Sequence, residues 1–152
     1  VDLRRNQFSK RVPDAAALPH NLRCLFLSEN RLTGPIPASI AEHLTKLEHL
    51  GIASNNLSGL IPPSMGSLKK LKQLTLGDNQ LSGVIPQCVE GMTDLEMLVL
   101  WENRLTGCAA TLDLSPLTKL VILNLSTNPL KHKTRLRTWL DLQLSTECQL
   151  YV

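Results

Sequence analysis

The sequence predicts an α/β repeat solenoid, a curved stack of similar turns with a parallel β-sheet on its concave side and short 3₁₀ or extended segments on its convex side. Three observations carry that prediction. Asparagine recurs at Asn6, Asn30, Asn55, Asn79, Asn103 and Asn128, at intervals of 24 or 25 residues. Aliphatic residues hold fixed offsets from each of these asparagines. Hydrophobic residues make up 43% of the 152-residue chain and aromatics only 3%, so leucine rather than large rings must fill the core. Self-similarity at such a period marks a stack of units, none of which can bury its apolar edge alone.

The strand comes first in each unit. Five residues before the asparagines sit Val1, Leu25, Leu50, Leu74, Leu98 and Leu123, and three before them sit Leu3, Leu27, Ile52, Leu76, Leu100 and Leu125. That alternation has the period of a β-strand, with the leucines inward and the residues between them outward. Strands are therefore expected near residues 25–27, 50–52, 74–76, 98–100 and 123–125. Stacked in parallel at ~4.8 Å, six of them make a sheet about 24 Å wide.

The asparagine stands where the chain leaves the strand. Its amide can donate and accept, and so can satisfy backbone groups of adjoining turns that would otherwise be buried unpaired. Two residues later come Phe8, Leu32, Leu57, Leu81, Leu105 and Leu130. The turn then bends at a glycine and proline in TGPIP (33–37), SGLIP (58–62) and SGVIP (82–86). Ile36, Ile61 and Ile85 are expected to point inward, as are Ile40, Met65 and Val89 from the convex side. Leu22, Leu47, Leu71, Leu95 and Leu120 lead back to the next strand.

These residues resemble the plant-type leucine-rich repeat, whose pattern LxxLxLxxNxLSGxIPxxxxxLxx is followed closely through residues 47–95. The resemblance covers nearly the whole chain and implies a leucine-rich-repeat solenoid. That family includes ectodomains of plant receptor kinases and polygalacturonase inhibitors, and it implies protein or peptide recognition on the concave sheet.

Residues 1–130 form six repeats, the first truncated at its start. It opens in mid-strand at Val1 and has Lys10 where glycine is expected, so further residues are expected upstream. The fifth repeat reads TGCAATLDLSPLTKL, with Ala109 and Ala110 in place of the IP pair, and its convex side should be irregular. Residues 131–152 are expected to cap the stack. Leu136, Trp139 and Leu140 stand at helical spacing within KHKTRLRTWLDLQL, and CQLYV suits a short edge strand. Lys131, Lys133, Arg135 and Arg137 read as the solvated outer face of that cap.

A formal net charge of +3 calls for no nucleic-acid partner. No phosphate loop, metal motif or catalytic constellation is present, so no cofactor, small-molecule substrate or enzymatic activity is expected, and membrane association is not evident. Cys24 and His49 share an outward phase on adjacent turns, yet no third group orients them for catalysis. Cys24, Cys88, Cys108 and Cys148 lie far apart in sequence. They read as free thiols in a reducing compartment, hence a cytoplasmic location with an extracellular receptor ectodomain as the alternative. The paired cysteines that flank the repeats of extracellular plant receptors are not seen. Two sequons, Asn56-Leu57-Ser58 and Asn124-Leu125-Ser126, are the opposing sign.

The outward strand positions include Phe26, His49, Gln73, Thr75, Met97, Val99, Trp101 and Asn124, with Glu29, Asp78 and Glu102 on one rim. Together these form the expected partner-binding face. Gly51, Ala53 and Gly77 should leave a shallow trough, with Phe26 and Trp101 rising on either side about 14 Å apart. Exposed aromatics with apolar neighbours mark binding sites. The chain is thus expected to be a non-catalytic protein–protein recognition or scaffold module, part of a larger protein or assembly. Its partner is another protein or peptide, or another part of the same full-length chain. The alternatives are a fragment of a receptor-kinase-like or polygalacturonase-inhibitor-like ectodomain, and the substrate-recognition part of a multidomain enzyme.

Overall fold

The computed structural model describes residues 1–132 and 149–151. One three-residue strand per turn forms at β2 (Cys24–Phe26), β4 (His49–Gly51), β6 (Gln73–Thr75), β8 (Met97–Val99) and β10 (Ile122–Asn124). They pair in parallel with Leu25, Leu50, Leu74, Leu98 and Leu123 in one line, and Asp2 extends the sheet by a bridge to Phe26. Each central leucine is at most 1% exposed, so the expected strand positions and phase are those observed.

A second parallel sheet, which the sequence pattern does not announce, runs along the flank. It is built from β1 (Ser9–Arg11), β3 (Arg31–Gly34), β5 (Asn56–Gly59), β7 (Gln80–Val84) and β9 (Arg104–Thr106). Its inward residues Leu32, Leu57, Leu81 and Leu105 are buried, while its other positions are polar or glycine apart from the exposed Val84 that ends β7. Backbone pairing between turns already stacked by the first sheet is what creates it.

Between the two sheets and the convex side lies one continuous aliphatic core. Ile36, Ile61 and Ile85 enter it from the bend, and Ile40, Met65 and Val89 from the convex side, all buried. The convex segments are 3₁₀ turns at Ala15–Ala17, Pro63–Ser67, Gln87–Gly91 and Ala109–Thr111, and one short α-helix at Ser39–His43. Proline terminates the bend in every turn but the fifth and leaves room for only a single tight turn. In the fifth repeat that turn shrinks to three residues and Ala109 fills the buried position, with Leu112 and Leu114 completing the layer.

The asparagines form a ladder inside the stack. The Asn103 Nδ2 group donates to the carbonyls of Leu76 at 3.0 Å and of Leu100 and Trp101 at 3.1 Å, while its Oδ1 accepts from the Leu81 amide at 2.9 Å. Asn30, Asn55, Asn79 and Asn128 repeat this arrangement. Each therefore bonds to the turn before it and to its own turn.

At the far end β11 (Gln149–Tyr151) adds in parallel to β10 and pairs Leu150 with Leu123. The helix expected around Leu136, Trp139 and Leu140, and the basic residues Lys133, Arg135 and Arg137, lie outside the described residues. Among the described residues Cys24, Cys88 and Cys108 are unpaired.

Candidate ligand-binding face

Every outward strand position named from the sequence faces away from the core. Phe26, His49, Gln73, Thr75, Met97, Val99, Trp101 and Asn124 are half-buried, Glu29 and Glu102 are exposed, and Asp78 is half-buried. Main-chain pairing fixes their spacing, because Cys24, His49, Gln73, Met97 and Ile122 stand side by side on successive strands. Phe26, Gly51, Thr75, Val99 and Asn124 form the next such row.

The trough expected at Gly51 and Gly77 is filled. Both glycines are buried. The Phe26 ring lies where a Gly51 β-carbon would stand, its Cδ1 2.9 Å from that point, and the Trp101 indole occupies the corresponding place above Gly77. A glycine beside an aromatic ring removes the one atom that would hold the ring upright, so the ring lies down and buries more apolar area. Phe26 leans toward the following turn and Trp101 toward the preceding one. The two rings therefore converge on neighbouring turns instead of standing three strand spacings apart. The outward face here is an aromatic surface, with each ring laid over a glycine of the sheet.

Phe26 is held from both sides. The Arg4 guanidinium lies 5.0 Å above its ring centroid, and the His49 ring is 6.3 Å away at a tilt of 40°. Arg4 is itself clamped by Asp2 at 2.6 and 2.9 Å, and this hydrogen bonding holds the Asp2 carboxyl down at about 2. His49 Nδ1 lies 3.3 Å from Gln73 Oε1. The imidazole thus belongs to a chain running Arg4, Phe26, His49, Gln73 across the strands. Arg4 is the member of this chain absent from the expected site, although its outward phase was legible.

An open depression of about 250 Å³ lies at the N-terminal end of the strands, lined by His49, Gln73, Met97 and Ile122 with Lys72 and Glu96 at its edge. Lys72 and Glu96 extend the face beyond the outward strand positions read from the sequence. Beside it Glu48 accepts from Arg23 at 2.6 Å and lies 3.7 Å from Lys72. The Arg23 hydrogen bond holds the Glu48 carboxyl below its ordinary value, against the opposing effect of desolvation.

The opposite rim carries Glu29, Ser54, Asp78, Glu102 and Thr127, all with left-handed backbone, φ between 49° and 59°. That conformation turns the chain out of the strand and brings each asparagine into its ladder. Glu29 pairs with Arg5 at 3.0 Å, whereas Asp78 and Glu102 stand on adjacent turns with no ion-pair partner among the described residues. This edge carries net negative charge.

The leucine rich repeat sequence profile matches residues 20–81 and again 45–105, more than half of the chain. The chain belongs to the leucine-rich-repeat family. Within this family it is 49% identical over 49 residues to the LRR receptor-like serine/threonine-protein kinase GSO2 of Arabidopsis thaliana, a match covering 32% of this chain and 4% of that protein. The solved structure of the Arabidopsis receptor kinase HAESA, in complex with the peptide hormone IDA and the co-receptor SERK1, superposes with a TM-score of 0.78 at 36% identity. That match covers 86% of this chain and 22% of HAESA. The BIR3–SERK2 complex from Arabidopsis thaliana gives 0.76 at 33% identity, covering 88% of this chain and 69% of the matched one. This leucine-rich-repeat chain is therefore a module similar to plant receptor-kinase ectodomains, and it spans a small part of the full-length receptor kinases it matches.

Proposed function

We propose that this chain is part of an extracellular, receptor-kinase-like ectodomain that captures a peptide or a partner protein on its concave sheet. The observation that carries the reading is the set of half-exposed apolar side chains, Phe26, Met97, Val99 and Trp101, presented on the outward face of one parallel sheet. A soluble surface facing only water has no need of such a set. The likeness to receptor ectodomains solved with a peptide hormone and with co-receptor proteins supports it. The same likeness favours the cell exterior over the cytoplasm expected from the scattered thiols. It also favours a receptor fragment over an intracellular scaffold.

Two experiments test this. An antibody raised against the chain should stain intact, unpermeabilised cells that express the native protein; staining that appears only after permeabilisation refutes the extracellular location. For the face, the immobilised chain is screened against a library of short peptides, and binders are measured on variants. Trp101→Ala should weaken binding by about 2 kcal/mol, roughly 30-fold, as truncating a central aromatic anchor does. Charge reversal at the convex, exposed Lys69 or Lys70 should leave binding within twofold. Binding that survives Trp101→Ala and disappears on reversal of Lys69 and Lys70 places the site on the other side.

A further inference from the structure

The flank sheet carries a feature that peptide capture does not use. Three of its five turns leave one apolar side chain in water directly after the left-handed glycine: Pro35, Leu60 and Val84 follow Gly34, Gly59 and Gly83. Leu60 is 59% and Val84 60% exposed. Leu60 lies over Gly83 and Val84 over Gly107, so these side chains form one continuous column that runs along the stack. A regular apolar column beside pairable backbone is a solubility liability.

Asn56 begins β5 on the same flank and is exposed, and with Leu57 and Ser58 it completes a sequon. Four residues separate it from Leu60, about 13 Å along an extended chain. The second sequon is placed differently. Asn124 sits half-buried in the main sheet between Val99 and Tyr151. Its Oδ1 accepts from the Ser126 amide at 3.1 Å and from the Ser126 hydroxyl at 2.7 Å. A branched oligosaccharide there would have to stand on the face that captures the partner.

We infer that Asn56 carries an N-linked glycan that covers the Pro35–Leu60–Val84 column, and that Asn124 is bare in the folded, secreted protein. The inference rests on the extracellular reading above. In the transfer, Asn56 Nδ2 forms a C–N bond to the anomeric carbon of a lipid-diphosphate-linked oligosaccharide. The bond from that carbon to the diphosphate oxygen breaks, the diphosphate leaves with the electron pair, and an amide proton passes to the transferase. Transfer precedes folding, so the fold acts afterwards: a chain modified at Asn56 can close its stack, and one modified at Asn124 has to carry the glycan within the main sheet. Glycans are bulky and solubilising, which is what the column requires.

The test routes the full chain through a plant-cell secretory pathway with a grafted, cleavable signal. Delivery is then assured, and the outcome is independent of where the native protein resides, which the surface-staining experiment decides. The secreted protein is deglycosylated enzymatically in heavy-oxygen water and its peptides are weighed. The label is expected at residue 56 and not at residue 124. Asn56→Gln should abolish the mobility shift on deglycosylation and raise the fluorescence of a dye that binds exposed apolar surface. Adding Leu60→Ser and Val84→Ser to that variant should return the dye signal to the wild-type level, and Asn124→Gln should change neither readout. An unlabelled residue 56, or a labelled residue 124, overturns the site assignment. Unchanged dye binding in Asn56→Gln overturns the shielding role.

Discussion

Replacing Asn103 by alanine is the sharpest test of what holds the turns together. Asn103 is only 7% exposed and makes four hydrogen bonds. Three of the affected groups keep another partner. The Leu76 carbonyl still accepts from Asn79, the Leu100 carbonyl from Asn128, and the Trp101 carbonyl from the Asp78 amide. The Leu81 amide loses its acceptor, and Leu81 is fully buried. An orphaned buried N–H costs about 1–3 kcal/mol, and weakening the three carbonyls adds about 1 kcal/mol. The expected loss is thus about 2–4 kcal/mol, read from urea unfolding of wild type and Asn103→Ala side by side. A loss below about 0.5 kcal/mol, the size of an ordinary surface substitution, would show that the ladder accompanies the stack without holding it.

Three further outcomes are expected. Leu76→Ala, at a fully buried site between two turns, should cost about 2–5 kcal/mol in the same assay, as large-to-small changes in packed interiors do. Gly66→Ala places a β-carbon 2.6 Å from the Cys88 carbonyl oxygen on the next convex turn; a loss of about 1–3 kcal/mol is expected from overpacking there, and an unchanged midpoint would mean the convex turns can slide apart freely. Glu48 is held below its ordinary pKa by Arg23, so its contribution is present above that ordinary value and is lost as pH falls through the lowered one. Stability measured against pH should therefore fall less steeply in that acid range for Glu48→Gln than for wild type, and identical slopes would remove Arg23–Glu48 from the acid response.

The main sheet, its phase and the leucine core were legible because a period-two strand stacked at constant spacing imposes one residue type at one offset, as at Leu25, Leu50, Leu74, Leu98 and Leu123. The asparagine ladder was legible for the same reason. The flank sheet was not. From β3 onward its turns supply one inward leucine each among mostly polar residues and glycine, and its pairing is made by backbone atoms. The lean of Phe26 and Trp101 escaped the strand phase, which gives the direction of a side chain from the sheet and not its tilt along the stack. A signal was nevertheless present, since Gly51 follows Phe26 in one row and Gly77 precedes Trp101 in another. Arg4 was visible as outward-facing, but its role depends on Asp2 two residues away holding it over the Phe26 ring.

The asparagine ladder also governs how a chain of this kind can change in length. Every rung offers its neighbours the same bonds, so a junction between any two rungs looks like any other. Excising residues 56–79 would join Asn55 to Gln80 and Leu81 and restore the asparagine-x-leucine order across the cut. Loss of a single residue within a strand would instead turn every following side chain of that strand to the wrong face. Length therefore comes in steps of one whole turn. The concave face can be widened or narrowed by whole strand spacings, about 4.8 Å each, with the remaining rows of side chains still in register.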